Sequence, residues 1–418
     1  MKTLLVVTAV LVTATTQAQV PPAPAAEPYS LATTPTLLRF PGSPFEALRS
    51  RGLSIEGSVT SVYQGAVSGS GDKDWRFGGK GDLLVTLDGE KAGLWPGFFI
   101  NFHQEWNFGR DANTTGAGLL LPVNTATGLP RLGGYEQDTS ITVTQRFGDA
   151  VSLSIGKFNM LDVAARTPLA GGGGLETFSH LGIAAPVSGV TPAYLVGAIA
   201  SLKTSPATFT LMVYDPRNAQ DPEVVRRPFR QGTTASLSVT IPTSFGSLPG
   251  FYGVRGAYSN KEGLDLGSLT GLALPPESRT VLQKRGYYYG SFSFQQYLQA
   301  SPRRHGNGWG VFADIGLSDG NPNAIRWHVV AGIGGTGVFD RDLDRWGIAY
   351  FRYGLSSELK DGLARLGVPR RDEQGVEAFY NLALTPWLRV TANLQWIDPT
   401  NPERNDAVFA GLRTQVRF

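Results

Sequence analysis

The chain closes on Val408-Phe409-Ala410-Gly411-Leu412-Arg413-Thr414-Gln415-Val416-Arg417-Phe418. In an extended chain successive side chains point to opposite sides. Phe418, Val416, Thr414, Leu412, Ala410 and Val408 therefore share one face, and Arg417, Gln415, Arg413 and Gly411 share the other. The segment predicts a strand with one apolar and one polar side.

A strand of this kind ending on an aromatic carboxylate looks like the closing strand of a bacterial outer-membrane barrel, the ending that the barrel-assembly machinery reads. Composition agrees. The 418 residues include 52 Gly, 22 Phe, 14 Tyr and 8 Trp but only 17% charged residues, where a soluble domain carries about 25%. Mean hydropathy is slightly negative because polar and apolar residues alternate instead of forming blocks, which is how a membrane barrel escapes a hydropathy scan. A formal charge of +3 implies no nucleic-acid partner. Zero cysteine excludes thiol catalysis, iron–sulfur centres and a disulfide framework.

Residues 1–18 read as a secretory signal: Met1-Lys2-Thr3 is a positive start, Leu4 to Val12 an apolar stretch and Thr16-Gln17-Ala18 a cleavage site. Residues 19–42, with a Pro/Ala tract from Pro21 to Ala26, read as a periplasmic linker. Within 43–52, Ser43-Pro44-Phe45-Glu46 predicts a short helix with Ser as N-cap and Glu closing the box, ended by Gly52. Residues 53–418 are assigned to the barrel. Leu181 to Leu202 lacks charge, but Pro186, Pro192 and three glycines make it the end of a loop followed by a strand.

About 16 strand-like segments follow Leu53. Leu53, Ile55 and Val59 alternate with Ser54, Glu56, Ser58 and Thr60. Phe98, Ile100, Phe102, Trp106 and Phe108 alternate with Asn101, His103, Glu105 and Asn107. Val376, Ala378, Tyr380, Leu382 and Leu384 alternate with Glu377 and Asn381; Leu388, Val390, Ala392, Leu394 and Trp396 with Arg389, Thr391, Asn393 and Gln395. Strands of about 9–11 residues in this pattern suit a tilted membrane crossing. Tight turns at 147–149, 204–206 and 385–387 alternate with long stretches at 110–134, 161–191, 216–230, 259–283 and 355–373. Short periplasmic turns and long outer loops are the arrangement of outer-membrane barrels. The fold class is thus all-β, a transmembrane antiparallel β-barrel whose long extracellular loops fold into the lumen. A propeller would repeat every 40–50 residues or so, and no such period is present.

Gly332 to Gly337 fits G-x-G-x-x-G, but a strand follows instead of the helix a dinucleotide needs, so it reads as strand and turn. Gly171 to Gly174 lacks a following Lys-Ser/Thr and reads as a loop. His103, His180, His305 and His328 are too dispersed for a metal spacing, and no nucleophile elbow occurs. The chain is read as no enzyme, with no cofactor and no metal. Arg255, Arg413, Asp314, His103 and Glu105 occupy polar faces near mid-strand and are expected to line the lumen, since Arg or Lys facing lipid at the midplane costs about 2–4 kcal/mol. Tyr287-Tyr288-Tyr289 and Tyr350-Phe351-Arg352-Tyr353 break the alternation and are assigned to the interfacial girdle.

The stretch Leu317-Ser318-Asp319-Gly320-Asn321-Pro322-Asn323-Ala324-Ile325-Arg326-Trp327 resembles the carbohydrate-selective porin family of Gram-negative bacteria. So do Tyr353-Gly354-Leu355-Ser356, residues 372–381, Thr385-Pro386-Trp387-Leu388 and Gln395-Trp396-Ile397-Asp398-Pro399. Gly156-Lys157-Phe158-Asn159 is similar to that family's strand before its constriction loop. The resemblance implies a 16-stranded barrel passing monosaccharides such as glucose, narrowed by inward loops. For this chain those loops are 110–134 and 161–191, and Arg166, Glu176 and His180 in the second are its candidate sugar contacts. Sugars, outer-membrane lipid, lipopolysaccharide and the assembly machinery at Phe418 are the expected partners, with monomer and homotrimer both open. A general or organic-acid porin, in which Arg255 and Arg413 attract anions, is the first alternative; an adhesin or receptor barrel is the second.

Overall fold

The computed structural model describes residues 30–278, 280–301 and 307–418. The expected signal, the Pro/Ala tract and His305 lie outside the described residues. The strands are β1 Leu53–Ser68, β2 Arg76–Asp88, β3 Phe98–Gly109, β4 Gln137–Phe147, β5 Val151–Asn159, β6 Tyr194–Lys203, β7 Thr208–Tyr214 and β8 Thr234–Phe245. Then come β9 Leu248–Leu264, β10 Gln283–Ala300, β11 Gly308–Ser318, β12 Ile325–Thr336, β13 Arg345–Leu355, β14 Glu373–Ala383, β15 Leu388–Asp398 and β16 Ala407–Arg417. Each pairs with its neighbours in sequence, and β1 pairs antiparallel with β16, closing the barrel. Closure leaves no strand edge open, which a membrane demands because lipid offers no hydrogen-bond partner. No helix among the described residues is long and apolar enough to cross a membrane.

The period of two sets the faces. On β14 burial alternates strictly from Glu373 to Ala383, with Glu373, Glu377, Phe379 and Asn381 inside and Val376, Ala378, Tyr380 and Leu382 outside. Cross-strand register carries this around the wall: Thr391 lies opposite Arg413 on the inside, and Ala392 opposite Leu412 on the outside. Leu53, Ile55, Phe102, Val390, Leu394 and Leu412 share the outward parity; Glu56, Asn101, Asn393 and Arg413 share the inward one.

Two expectations need correcting. Residues 259–264 are not loop: β9 continues to Leu264 and pairs with β10 up to Gln283. The polar Asn260, Lys261 and Glu262 look like a loop, but the backbone ladder runs on through them. The tyrosine runs also divide between faces. Tyr288 is outside and exposed, whereas Tyr287, Tyr289, Phe351 and Tyr353 are buried inside. Alternation failed there because aromatic residues occupy both faces and the charged Arg352 lies on the outer one.

A helix, α1 (Pro44–Ser50), precedes β1, and Ser43 caps it by accepting from the Phe45 N–H. Glu46 does not complete a box; it pairs with Arg39 and Arg49 at 3.7 and 3.9 Å.

Candidate functional site: a loop-filled lumen

The loops at 110–136 and 160–193 turn into the barrel and fill one side of it. Small residues make this feasible. Gly172, Gly173 and Gly174 adopt φ of +119, +60 and +78°, a left-handed run open to glycine and strained for other residues. Leu121, Val123, Leu169, Phe178 and Ile183 from the loops pack on inward Phe312, Val330, Phe351, Phe379, Ile397 and Phe409 of the wall. Phe178 is fully buried, with ring centroids 4.8 Å from Phe379 and 5.8 Å from Phe312. A Cβ at Gly347 would lie 2.7 Å from the Phe178 ring, so β13 needs glycine there. Burying one such phenylalanine is worth about 1.5–3 kcal/mol.

Directional contacts then fix what the apolar core leaves free to slide. Arg413 donates to the carbonyls of Gly174 and Thr177 (2.7 Å for Thr177) and to Ser179 Oγ at 2.9 Å. Glu377 accepts the N–H groups of Ser179 and His180 at 2.7 and 2.8 Å. Glu373 accepts those of Leu120 and Leu121. Gln395 donates to the Val123 carbonyl at 2.8 Å, and the Leu169 N–H donates to Gln295 at 2.8 Å. Glu176 pairs with Arg345 and Arg417 at the barrel end where β16 finishes.

A second cluster sits on β2 and β3. Lys80 Nζ lies 3.1 Å from Asp82 and 2.5 Å from Glu105. His103 bridges Asp82 at 3.0 Å and Asp162 at 2.8 Å, which ties the wall to the helical turn Met160–Ala164 at the start of the second loop. Tyr194 donates to Glu105 at 2.8 Å. The carboxylate and imidazole donors of Asp82, His103 and Glu105 lie within 4.8 Å of one another. The set suits the Lys80 ammonium already at its centre, whose charge would repel a metal ion.

The sequence-derived residues therefore separate. Arg413, Glu105 and His180 are 3%, 0% and 0% exposed, and each is engaged by neighbouring groups. His103 is buried as well. His180 stacks on Phe351 at 4.0 Å and accepts the Gly182 N–H on Nδ1 at 3.2 Å; burial pushes its pKa down from 6.5 to about 3, so it is neutral. Arg166 is exposed on its loop. Arg255 and Asp314 are half-buried on β9 and β11. The Arg255 guanidinium donates to Ser236 at 2.8 Å and to Thr191 of the second loop at 2.6 Å, and lies 5.7 Å over the Tyr289 ring. Asp314 bonds His328 Nε2 at 2.6 Å, and His328 stacks between Tyr289 and Tyr353. Sequence reasoning missed Glu373, Lys80, Asp162 and Gln295. Glu377 and Gln395 were visible as inward residues, though not as holders of loops.

A lumen closed down by two inward loops is the architecture of a diffusion pore, and comparison decides the kind. Residues 73–418 match the sequence profile of the carbohydrate-selective porin, OprB family. The chain belongs to this family. Among solved structures, the high-pH form of OprB from Pseudomonas putida superposes on this porin with TM-score 0.74 at 19% identity, covering 89% of this chain and 96% of that one. The low-pH form gives 0.53 at 16% identity, with coverages of 93% and 100%. A loop-deletion mutant of OmpT from Vibrio cholerae gives 0.52 at 11%, with coverages of 88% and 99%. At such identities the likeness is one of fold. A sequence comparison with curated proteins gives no match. The family and the barrel together make this an outer-membrane protein of bacteria.

Proposed function

We propose that this porin passes monosaccharides such as glucose through the space between the loop plug and the β9–β11 wall. The observation that carries the reading is the half-exposed pair Arg255 and Asp314 beside the filled half of the lumen. Arg255 is a planar multi-donor group and Asp314 an acceptor, a combination suited to vicinal hydroxyls. A pore must also release what it binds, so a few weak polar contacts in a narrow ring suffice. Arg166 and Lys157 add donors and Asp162 an acceptor from the loop and the β5 wall. Arg413, Glu176, His180, His103 and Glu105 act in this reading by shaping the passage. None of these groups is assigned a catalytic role. Lipopolysaccharide around the barrel and the assembly machinery at Phe418 are the inferred partners.

One observation favours a second reading, an anion-preferring pore. Arg345 and Arg417 share Glu176, and among the described residues Arg389 bonds the neutral Asn381 oxygen and Leu343 carbonyl, at 2.8 and 2.9 Å. Single-channel recording in planar bilayers distinguishes the two. The sugar reading expects glucose to reduce the ion current with weak ion selectivity. Strong anion selectivity with no response to glucose would select the other.

A further inference from the structure

We infer that Glu373 and Glu377 are positioning residues for selectivity, one clamping each inward loop, although neither meets the passage. The inference rests on the channel reading above. The two carboxylates lie four residues apart on the inner face of β14, and both are fully buried. Each accepts two consecutive backbone N–H groups: Glu373 from Leu120 and Leu121, Glu377 from Ser179 and His180. A buried carboxylate needs partners to offset its lost hydration. Backbone donors supply them here, at 2.7 and 2.8 Å for Glu377 and 3.1 Å from Leu121 for Glu373. The Phe178 core is non-directional and tolerates sliding; a carboxylate gripping two adjacent amides does not.

The clamps are also joined. The Thr125 N–H and hydroxyl both donate to the Ser179 carbonyl, at 2.8 and 2.7 Å, and the Leu181 N–H donates to the Pro122 carbonyl at 3.0 Å. Ser179 thus meets Glu377 through its N–H, the first loop through its carbonyl and Arg413 through its hydroxyl. The two loops behave as one plug, so releasing either end shifts the rim that faces Arg255 and Asp314.

Glu377→Gln and Glu373→Gln keep side-chain volume but replace one acceptor oxygen with a donor that faces an N–H. The test combines single-channel recording, glucose titration of the current and limited trypsin digestion, with heat-modifiable gel migration reporting barrel integrity. Glu377→Gln is expected to open a cut after Arg166, raise conductance and raise the half-blocking glucose concentration by about threefold to tenfold, the scale of one lost hydrogen bond. Glu373→Gln should instead open a cut after Arg110 or Arg131. The double variant should exceed the larger single effect by less than about twofold, because contacting groups couple. Folded single variants with wild-type conductance, block and cleavage would overturn the inference. If neither glutamine variant folds, Thr125→Val cuts only the hydroxyl of the join: a smaller shift in the same direction supports the inference, and wild-type values overturn it. A wild-type pore indifferent to glucose would defeat the sugar reading instead, leaving conductance and cleavage to judge the clamps.

Discussion

Two walls of one barrel treat their inward polar residues in opposite ways. On β13–β16, Arg345, Glu373, Glu377, Gln395 and Arg413 all bond the inward loops, and most are buried. On β9–β11, Arg255 and Asp314 keep open surface beside a buried Tyr289. Both walls have the same strand period and the same polar-inside rule. The difference lies in how far the loops cover them: loop backbone grips the first set, whereas Arg255 meets the second loop through the Thr191 hydroxyl and, like Asp314, keeps part of its surface open. A charged lumen residue in a barrel is therefore a ligand group only where the loops leave part of it open.

The sharpest way to break this contrast is Arg413→Ala. It removes three donors and leaves the Gly174 and Thr177 carbonyls buried without them, a loss of about 2–4 kcal/mol in barrel stability. Thermal unfolding in detergent should show the drop, with a new tryptic cut in the second loop and weakened glucose block. Wild-type unfolding together with weakened block would instead make Arg413 a direct ligand.

Arg255→Ala and Asp314→Asn come next. Each should weaken glucose block by about threefold to tenfold, the range of one or two polar contacts, without a new tryptic cut. Reversal potentials should move in opposite directions, toward cations for Arg255→Ala and toward anions for Asp314→Asn.

A smaller effect concerns acid. His180 has its pKa lowered by burial to about 3, below the ordinary 6.5. Between these values the unfolded chain holds the proton and the folded loop does not, so stability falls as pH drops from about 6.5 toward 3. Above that window His180 contributes no slope. Protonation would also cost Nδ1 its bond from the Gly182 N–H. Trypsin sensitivity of the second loop should thus rise between pH 6 and pH 4 or so, on the window of these values, and rise less in His180→Gln. An equal rise in both would place the acid sensitivity elsewhere.

The smallest expected change is chemical labelling. Cysteine at Glu56 or Asn101 should react with a membrane-impermeant thiol reagent and cysteine at Leu412 or Leu394 should not. Cysteine at Arg413 should also stay protected despite its inward parity, because the plug covers it.

Much of the wall was legible in the sequence, for a physical reason. Lipid forces one face of each strand to be apolar, so Leu388, Val390, Ala392 and Leu394 declare their register without help from the rest of the chain. The inner face has no such uniform solvent. Phe178, Phe351 and Phe379 form a true apolar core inside the barrel, so an aromatic residue there carries no parity signal. The destinations of Glu373, Glu377 and Arg413 were hidden because their partners are backbone groups, and a loop's amides leave no side-chain signature. Lys80, between two glycines, gave no sign of its contact with Asp82 and Glu105, which depends on strand register.

The most direct test of an open wall facing a clamped one is glucose titration of single-channel current in Arg255→Ala, paired with trypsin digestion of the same preparation. The account expects the half-blocking concentration to rise by about threefold or more while the cleavage pattern stays wild type. Unchanged block in a folded channel would contradict it, and so would weakened block accompanied by cleavage after Arg166.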